Sequence, residues 1–580
     1  MARRMVVVGV SLAALAAGSA VAQTVSVGTN RSTVSQSDTS NSASVSNAAA
    51  GNDDNSSNVA QNGNNNAVTV EQVGDTNSSA VSQEGSQHAA RVVQGSSVST
   101  AGNGNSSSII QRLSNGNQAE IFQFEGSAAA GNVSFIRQEN PGGAGSANAN
   151  NRASVAMRGF GNQSRVEQNG QNNSARITLL GGGTAAGAET DSETGRTQGN
   201  SSSISQSGEG PDIGRDLTAI VSLGSLAAGE GQGNLSDVTQ TGINHRAEVW
   251  QRGLFDSLTI RQMSVGDASG FVDPIKTYSD GVKGRALANV AQKGLRNSAV
   301  VAQYGDNSAR VTQGLGTRSS VSVRQLDTGD SAPSANNPTG RAFNTAVIAQ
   351  SGNGNVIDLA QEAVNASAAI WQMAGSSSNR VSLLQGPSTT YPTGAISPQG
   401  AENARAKVTQ GGTRNEAMVI QHQFGAQALV EQLGSGTADL PNLAVIVQQG
   451  DNNQATARQT AAVGPSHASG PASGQPGDDF YFAGGARSAE IAIVQRSSGN
   501  SATVEQRGRG QVAGIGQAGQ NNSASILQDG AATNATAVIL QTGNGNSYSV
   551  TQNQPGQYLV VSQTGNNNAA TSIVERGPGS

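Results

Sequence analysis

The chain has no cysteine in 580 residues, 3% aromatic and 13% charged residues, four histidines, and a formal net charge of −5. Without cysteine no disulfide locks the fold, which suits a chain kept unfolded through export. A weakly negative chain whose basic residues are scattered and overwhelmingly Arg offers no basic patch for nucleic acid. So few aromatic and charged residues, with 75 Gly and abundant Asn, Gln and Ser, would by composition alone indicate disorder.

Catalytic apparatus is also missing. Ser, Asp and Glu are plentiful but form no recognisable constellation, and His88, His245, His422 and His467 stand far apart, which argues against a metal site. Gly181-Gly182-Gly183 lacks the Asp of a calcium-binding nonapeptide, and no Gly-Lys-Ser/Thr phosphate cradle occurs. Neither an enzyme nor a cofactor is expected.

Only one apolar run is long. Arg3 and Arg4 precede Met5 to Ala17, too short to span a membrane, and Ala20-Val21-Ala22 fits a small-residue cleavage site. Residues 1–22 read as a secretory signal, the mature chain begins at Gln23, and no membrane span remains after cleavage.

What the sequence does have is a strict period. From Asn66 it runs Asn66-x-Val68-x-Val70-x-Gln72, a turn through Gly74, Asn77-x-Ser79-x-Val81-x-Gln83, a turn through Gly85, then His88-x-Ala90-x-Val92-x-Gln94. The unit is eleven residues: seven in a period-two strand and four in a connection, usually x-Gly-x-x. Asn, the small residue, the β-branched residue and Gln share one face, while Ser, Thr, Arg and Glu take the other, as in a strand with one buried face. Gly two residues after Gln suits a sharp turn with positive φ, and Asn also tolerates turn conformations.

One copy cannot fold alone. Ordering each residue costs roughly 1–2 kcal/mol, against about 1.5–3 kcal/mol for one buried Val. Stacked in register, every backbone group pairs above and below, and like amides bond in ladders. The expected fold is therefore all-β: a β-solenoid of two-strand coils built from 11-residue strand-turn units, or 22-residue repeats. The ladder positions include Asn66, Gln72, Asn77, Gln83, Asn297, Gln303, Asn307, Gln313, Asn355, Gln361, Asn500, Gln506, Asn522, Gln528, Asn546 and Gln552. The turn positions include Gly74, Gly85, Gly305, Gly352, Gly508, Gly519 and Gly543.

Residues 23–55 keep the pattern loosely, and residues 56–580 carry regular copies, with insertions near 181–200, 264–286, 327–342, 386–402 and 460–486 read as loops at coil corners. The last insertion holds Phe480-Tyr481-Phe482. About 38 strand units make about 19 coils, hence a rod of roughly 90 Å at ~4.8 Å per coil. Outward positions turn apolar at Phe122, Trp250, Trp371, Ile420, Leu527 and Leu540, as scattered surface residues or as a lateral contact stripe.

The pattern resembles the curlin repeat of bacterial curli fibre subunits, Ser-x5-Gln-x-Gly-x-Gly-Asn-x-Ala-x3-Gln. Gln350-x-Gly352-x-Gly354-Asn355 through Gln361 follows it with Ile357 in place of Ala, and Gln541-x-Gly543-x-Gly545-Asn546 through Gln552 does so with Tyr548. The resemblance extends over most of the mature chain. It implies a secreted subunit of extracellular amyloid fibres on the cell surface, acting in adhesion and biofilm matrix, that associates with itself, with other curlin subunits and with an outer-membrane export pore. Two departures stand out: this chain is far longer than familiar curlins, and Asn opens most strands where Ser and Asn usually alternate, so which arms share a coil is open. The alternative to a fibre subunit is a monomeric solenoid adhesin that binds a surface or glycan through its outer face.

Overall fold

A computed structural model describes residues 9–12, 21–27, 30–48, 54–95, 104–124, 131–139, 150–159, 161–181, 199–207, 217–225, 233–242, 245–252, 254–263, 286–305, 307–326, 344–363, 365–386, 403–422, 424–435, 441–460 and 489–574. Arg3, Arg4, Ala20, Pro141, Gly182, Gly183, His467, Phe480-Tyr481-Phe482, Glu575, Arg576 and most of each insertion lie outside them. The described residues form strands and turns, with no helix among them.

The chain divides into two compact units, Met1–Asn297 and Ser298–Ser580. In each, consecutive strands alternate between two sheets and every repeat strand pairs in parallel with the next but one, as Ser56–Asn62 does with Ser78–Ser86 and Ser501–Gln506 with Ser523–Gln528. Two consecutive strands therefore make one coil. The sequence left this pairing open because Asn opens strands of both sheets. The first unit has nine parallel strands in each sheet, from Asn30–Ser37 to Ala286–Gln292, and the second has ten, from Ser298–Tyr304 to Ala569–Val574.

Register follows the amides. Gln61 lies opposite Gln83, Gln94 opposite Gln123, Gln361 opposite Gln385 and Gln506 opposite Gln528. A one-residue slip would turn every amide and β-branched residue outward, so the inward face holds the register. The core between the sheets is thin: Val59, Val70, Val92, Ile109 and Ile121 in the first unit, and Val301, Val311, Ile370, Val430 and Ile515 in the second, are each at most 1% exposed.

The first coil is not bare. Val21–Val27 pairs antiparallel with Asn30–Ser37, and Gly9–Leu12 antiparallel with Ser42–Ala48. The first of these strands straddles the expected cleavage site and the second lies inside the expected signal. Antiparallel pairing satisfies the backbone groups of an edge strand without continuing the parallel stack.

Candidate functional site: the amide ladders

All sixteen predicted ladder residues are buried, none more than 2% exposed. A buried primary amide has two donors and an acceptor to satisfy. The Gln residues do it along the stack. Gln72 Nε2 donates to Gln94 Oε1 at 2.8 Å, Gln83 to Gln111 at 2.8 Å, Gln303 to Gln325 at 2.8 Å and Gln313 to Gln350 at 2.8 Å. Gln361 donates to Gln385, Gln506 to Gln528 and Gln528 to Gln552 in the same way, at 2.8–2.9 Å. The second amide hydrogen ties the two sheets together: Gln72 Nε2 also donates to the Ser56 carbonyl, and Gln552 Nε2 to that of Thr536.

The Asn residues run the other way. Along most of the column an Asn Oδ1 accepts the backbone N–H of the residue one coil on: Asn77 N donates to Asn55 Oδ1 at 2.9 Å, Asn522 N to Asn500 Oδ1 at 3.0 Å and Asn546 N to Asn522 Oδ1 at 2.9 Å. Many Nδ2 groups pin a turn, as from Asn66 to the Gly85 carbonyl, Asn355 to that of Ser351, and Asn307 to that of Tyr304. Asn297 N donates to a carboxylate oxygen, Asp256 Oδ1, at 2.8 Å.

The ladders are therefore polar. Toward the coil that follows, a repeat that carries both amides presents Gln Nε2 donors and Asn Oδ1 acceptors. Toward the coil before, it presents Gln Oε1 acceptors and Asn backbone N–H donors. The two faces of a coil are complementary to each other.

Six of the seven predicted turn glycines have positive φ: Gly74 (93°), Gly85 (126°), Gly305 (85°), Gly352 (104°), Gly519 (108°) and Gly543 (105°). Gly508 does not, and its requirement is space, because a Cβ there would stand 2.5 Å from Gln511 Nε2. The second left-handed turn residue is not the ladder Asn but the residue before it, as at Asn65, Thr76, Gly354 and Gly545. Once Asn is inside it is committed to the ladder.

Some rungs are substituted. His245 takes an Asn place with Nε2 2.9 Å from the Thr241 carbonyl, and its Nδ1 accepts the Ala286 backbone N–H at 3.2 Å. Those partners require the neutral Nε2–H tautomer, which reproduces the Asn pattern of one donor and one acceptor. Burial lowers its pKa to about 4, against a smaller opposing effect of the Thr241 carbonyl. His88 occupies an equivalent place, with Nε2 3.2 Å from the Glu84 carbonyl. Asp256 was missed by the sequence reading, although its spacing of six residues before Gln262 marks it as a rung.

In one sheet of the first unit the Gln ladder stops. Gln123 lies opposite Met157, which lies opposite Leu179, then Leu223, then Gln251. All three apolar rungs are at most 1% exposed. The flanking Gln123 turns its amide to the carbonyls of Asn132 and Ser106.

The outer faces carry exposed pairs two residues apart, Arg137 with Glu139, Arg165 with Glu167, Arg246 with Glu248 and Arg507 with Glu505. Hydrogen bonds to Glu139 and Glu505, then their charges, raise the pKa values of Arg137 and Arg507. Such exposed pairs add little stability. Arg91 lies over Phe122 at 5.3 Å and Lys407 over Trp371 at 5.2 Å, while Trp250 is 45% exposed. His422 Nδ1 lies 2.9 Å from the Gly386 carbonyl. No cluster of metal-ligating side chains occurs among the described residues.

Compared with known families, residues 52–85, 63–95 and 498–530 match the model of the curlin associated repeat. These segments hold the rungs Asn55 to Gln94 and Asn500 to Gln528. No curated protein matches the chain.

Proposed function

We propose, from the premise that this chain carries curlin-associated repeats, that it is a secreted structural subunit of curli-type extracellular fibres, serving adhesion and biofilm matrix by templated stacking of its coils. The observation that carries the reading is the polarity of the amide ladders. A coil whose two faces are complementary accepts another molecule's coil by the bonds that join its own. The partners are further copies, other curlin subunits and an outer-membrane export pore. The reading assigns no catalytic step to any residue.

The test is dilution of Gln23–Ser580 from denaturant, with and without preformed fibres, followed by electron microscopy, light scattering and fibre diffraction. The expected result is seeded growth of unbranched fibres with a reflection near ~4.8 Å along the axis. A β-rich monomer that neither seeds nor elongates would overturn it. That outcome would favour the second reading, a monomeric solenoid adhesin, since an adhesin needs protected edges and the part of Val21–Val27 that remains after cleavage, from Gln23 on, still pairs antiparallel with Asn30–Ser37.

A further inference from the structure

In the first unit one outer face combines aromatic rings with positive charge. Strands Gln118–Phe124, Arg152–Arg158, Ser174–Gly181, Thr218–Ser225 and Arg246–Gln251 are successive neighbours in one sheet. An outward column crosses them as Phe122, Ala156, Thr178, Ser222 and Trp250, each opposite the next. The three central side chains are short, so the column is a shallow trough with a ring at each end. Its ends lie four sheet spacings apart, roughly 19 Å. Trp250 is 45% exposed, and Phe122 is held by Arg91 over its ring at 5.3 Å and by the stacked ring of Phe124 at 6.5 Å.

Charge lies beside the trough. From Ala89–Gln94 to Arg246–Gln251 the strands of this sheet turn outward five Arg (91, 152, 158, 176 and 246) and two Glu (120 and 248), in a chain whose net charge is −5. Glu248 is engaged by Arg246. Arg152 and Arg176 stand on diagonal positions of neighbouring strands, since Arg152 lies opposite Ser174 and Ser154 opposite Arg176. Both are exposed, and neither makes an ion pair with a described residue.

We infer that this face binds an anionic polysaccharide, with sugar rings lying along the trough between Phe122 and Trp250 and carboxylates on Arg152 and Arg176. A pyranose turns C–H groups outward that pack flat on an aromatic ring. A guanidinium holds a carboxylate by paired, charge-assisted hydrogen bonds. The hydroxyls of Ser154, Thr178 and Ser222 both donate and accept, as sugar hydroxyls do. Single-stranded nucleic acid also takes rings and cations, but it needs rings for successive bases and carries a phosphate on every residue. The trough has no ring between its ends, and Glu120 stands one strand from Arg152. The face looks sideways from the stack, so it stays open in a single molecule and within a fibre. It gives the proposed adhesion a ligand and rests on that reading, not on assembly.

The chain has two tryptophans, so Trp371→Phe leaves Trp250 as the sole indole reporter. This full-length chain is titrated with oligogalacturonate, neutral dextran and oligothymidylate under conditions where light scattering shows no assembly. Oligogalacturonate is expected to change the Trp250 fluorescence saturably, less so as salt is added, and dextran to leave it unchanged. Arg152→Gln with Arg176→Gln should weaken binding about tenfold or more, as for the loss of two charge-assisted contacts. Arg137→Gln with Arg507→Gln removes the same charge from other faces and should leave binding as it was. No response to oligogalacturonate, an equal response to dextran, or an equal loss in the two double variants overturns the inference. So does tighter binding of oligothymidylate, which would make the ligand a nucleic acid, or a signal that moves with protein concentration alone, which would make it a second copy. Fibre growth enters none of these readouts, so its outcome is separate.

Discussion

Breaking one rung and replacing a run of rungs have different costs, and the difference can be worked from the hydrogen bonds. Gln350, Gln372 and Gln410 are consecutive rungs. The ladder bonds that involve them run Gln313 to Gln350 (2.8 Å), Gln350 to Gln372 (2.8 Å), Gln372 to Gln410 (2.9 Å) and Gln410 to Gln432 (2.8 Å). Each single change to Leu breaks two of these, six for the three variants together, and leaves one buried Oε1 without its donor, on Gln372, Gln410 or Gln432. The triple variant breaks only four and strands only the Oε1 of Gln432. The bonds to carbonyls and the apolar gain of each Leu enter both sums equally. Two bonds at about 1 kcal/mol and two orphaned acceptors at about 1–3 kcal/mol each make the triple variant cheaper than the summed singles by at least about 4 kcal/mol. The assay is hydrogen exchange at Asn344–Gln350, Ser367–Gln372 and Arg405–Gln410, where that gap is a factor of roughly a thousand in local opening. Additivity within about 0.5 kcal/mol would refute the argument that rungs act as a ladder.

Three further outcomes are expected. Gly543→Ala, with φ at 105° and a Cβ 2.0 Å from the Gly565 carbonyl oxygen, should destabilise its coil by more than about 2 kcal/mol, whereas Gly556→Ala, at 66° with open space around the Cβ, should cost about 1 kcal/mol; urea midpoints compare the two. Asp256→Asn, which keeps an acceptor oxygen for the Asn297 N–H, should retain the hydrogen-exchange protection of the strand Ser257–Met263, whereas Asp256→Ala, which removes that acceptor, should cost about 1–3 kcal/mol there. His245 has a folded pKa of about 4, below the unfolded value near ~6.5, so its contribution is fully present above the unfolded value and is lost as pH falls toward 4. Urea midpoints at pH 7 and 5 should show this acid loss, and His245→Asn should abolish it.

The period-two strand, the inward amides and the positive-φ glycines were legible because each is a local consequence of pattern. What was not legible was contextual. Met157 and Leu223 break the Gln pattern, and only their placement on either side of Leu179 reveals an apolar ladder that is internally consistent. Asp256 looks like a surface acid until its neighbours Asn234 and Asn297 are stacked on it. Val21–Val27 has the small and apolar residues of a cleavage site, and the same residues pair well as an edge strand. Gly508 needs space rather than a left-handed backbone, a distinction that depends on Gln511.

The connections have little say in the register. Gln303 reaches Gln325 across 22 residues at 2.8 Å, and Gln448 reaches Gln495 across 47 residues at 3.0 Å, so the rung keeps its geometry when the intervening chain more than doubles. Closing the longer loop costs only about 0.6 kcal/mol more, less than one ladder bond at about 1 kcal/mol. The interface between coils therefore holds itself, whatever length of chain intervenes between its rungs. A coil supplied by a second molecule is the limit in which the connection is absent. It loses roughly 4–15 kcal/mol of translational and rotational freedom and gains two strands of backbone bonds plus, at the last coil, where Val574 takes a Gln place, at most three amide columns at about 1 kcal/mol per bond. Those terms are of the same order, so whether one coil docks on another turns on whether its edge is free or already covered by a strand such as Val21–Val27.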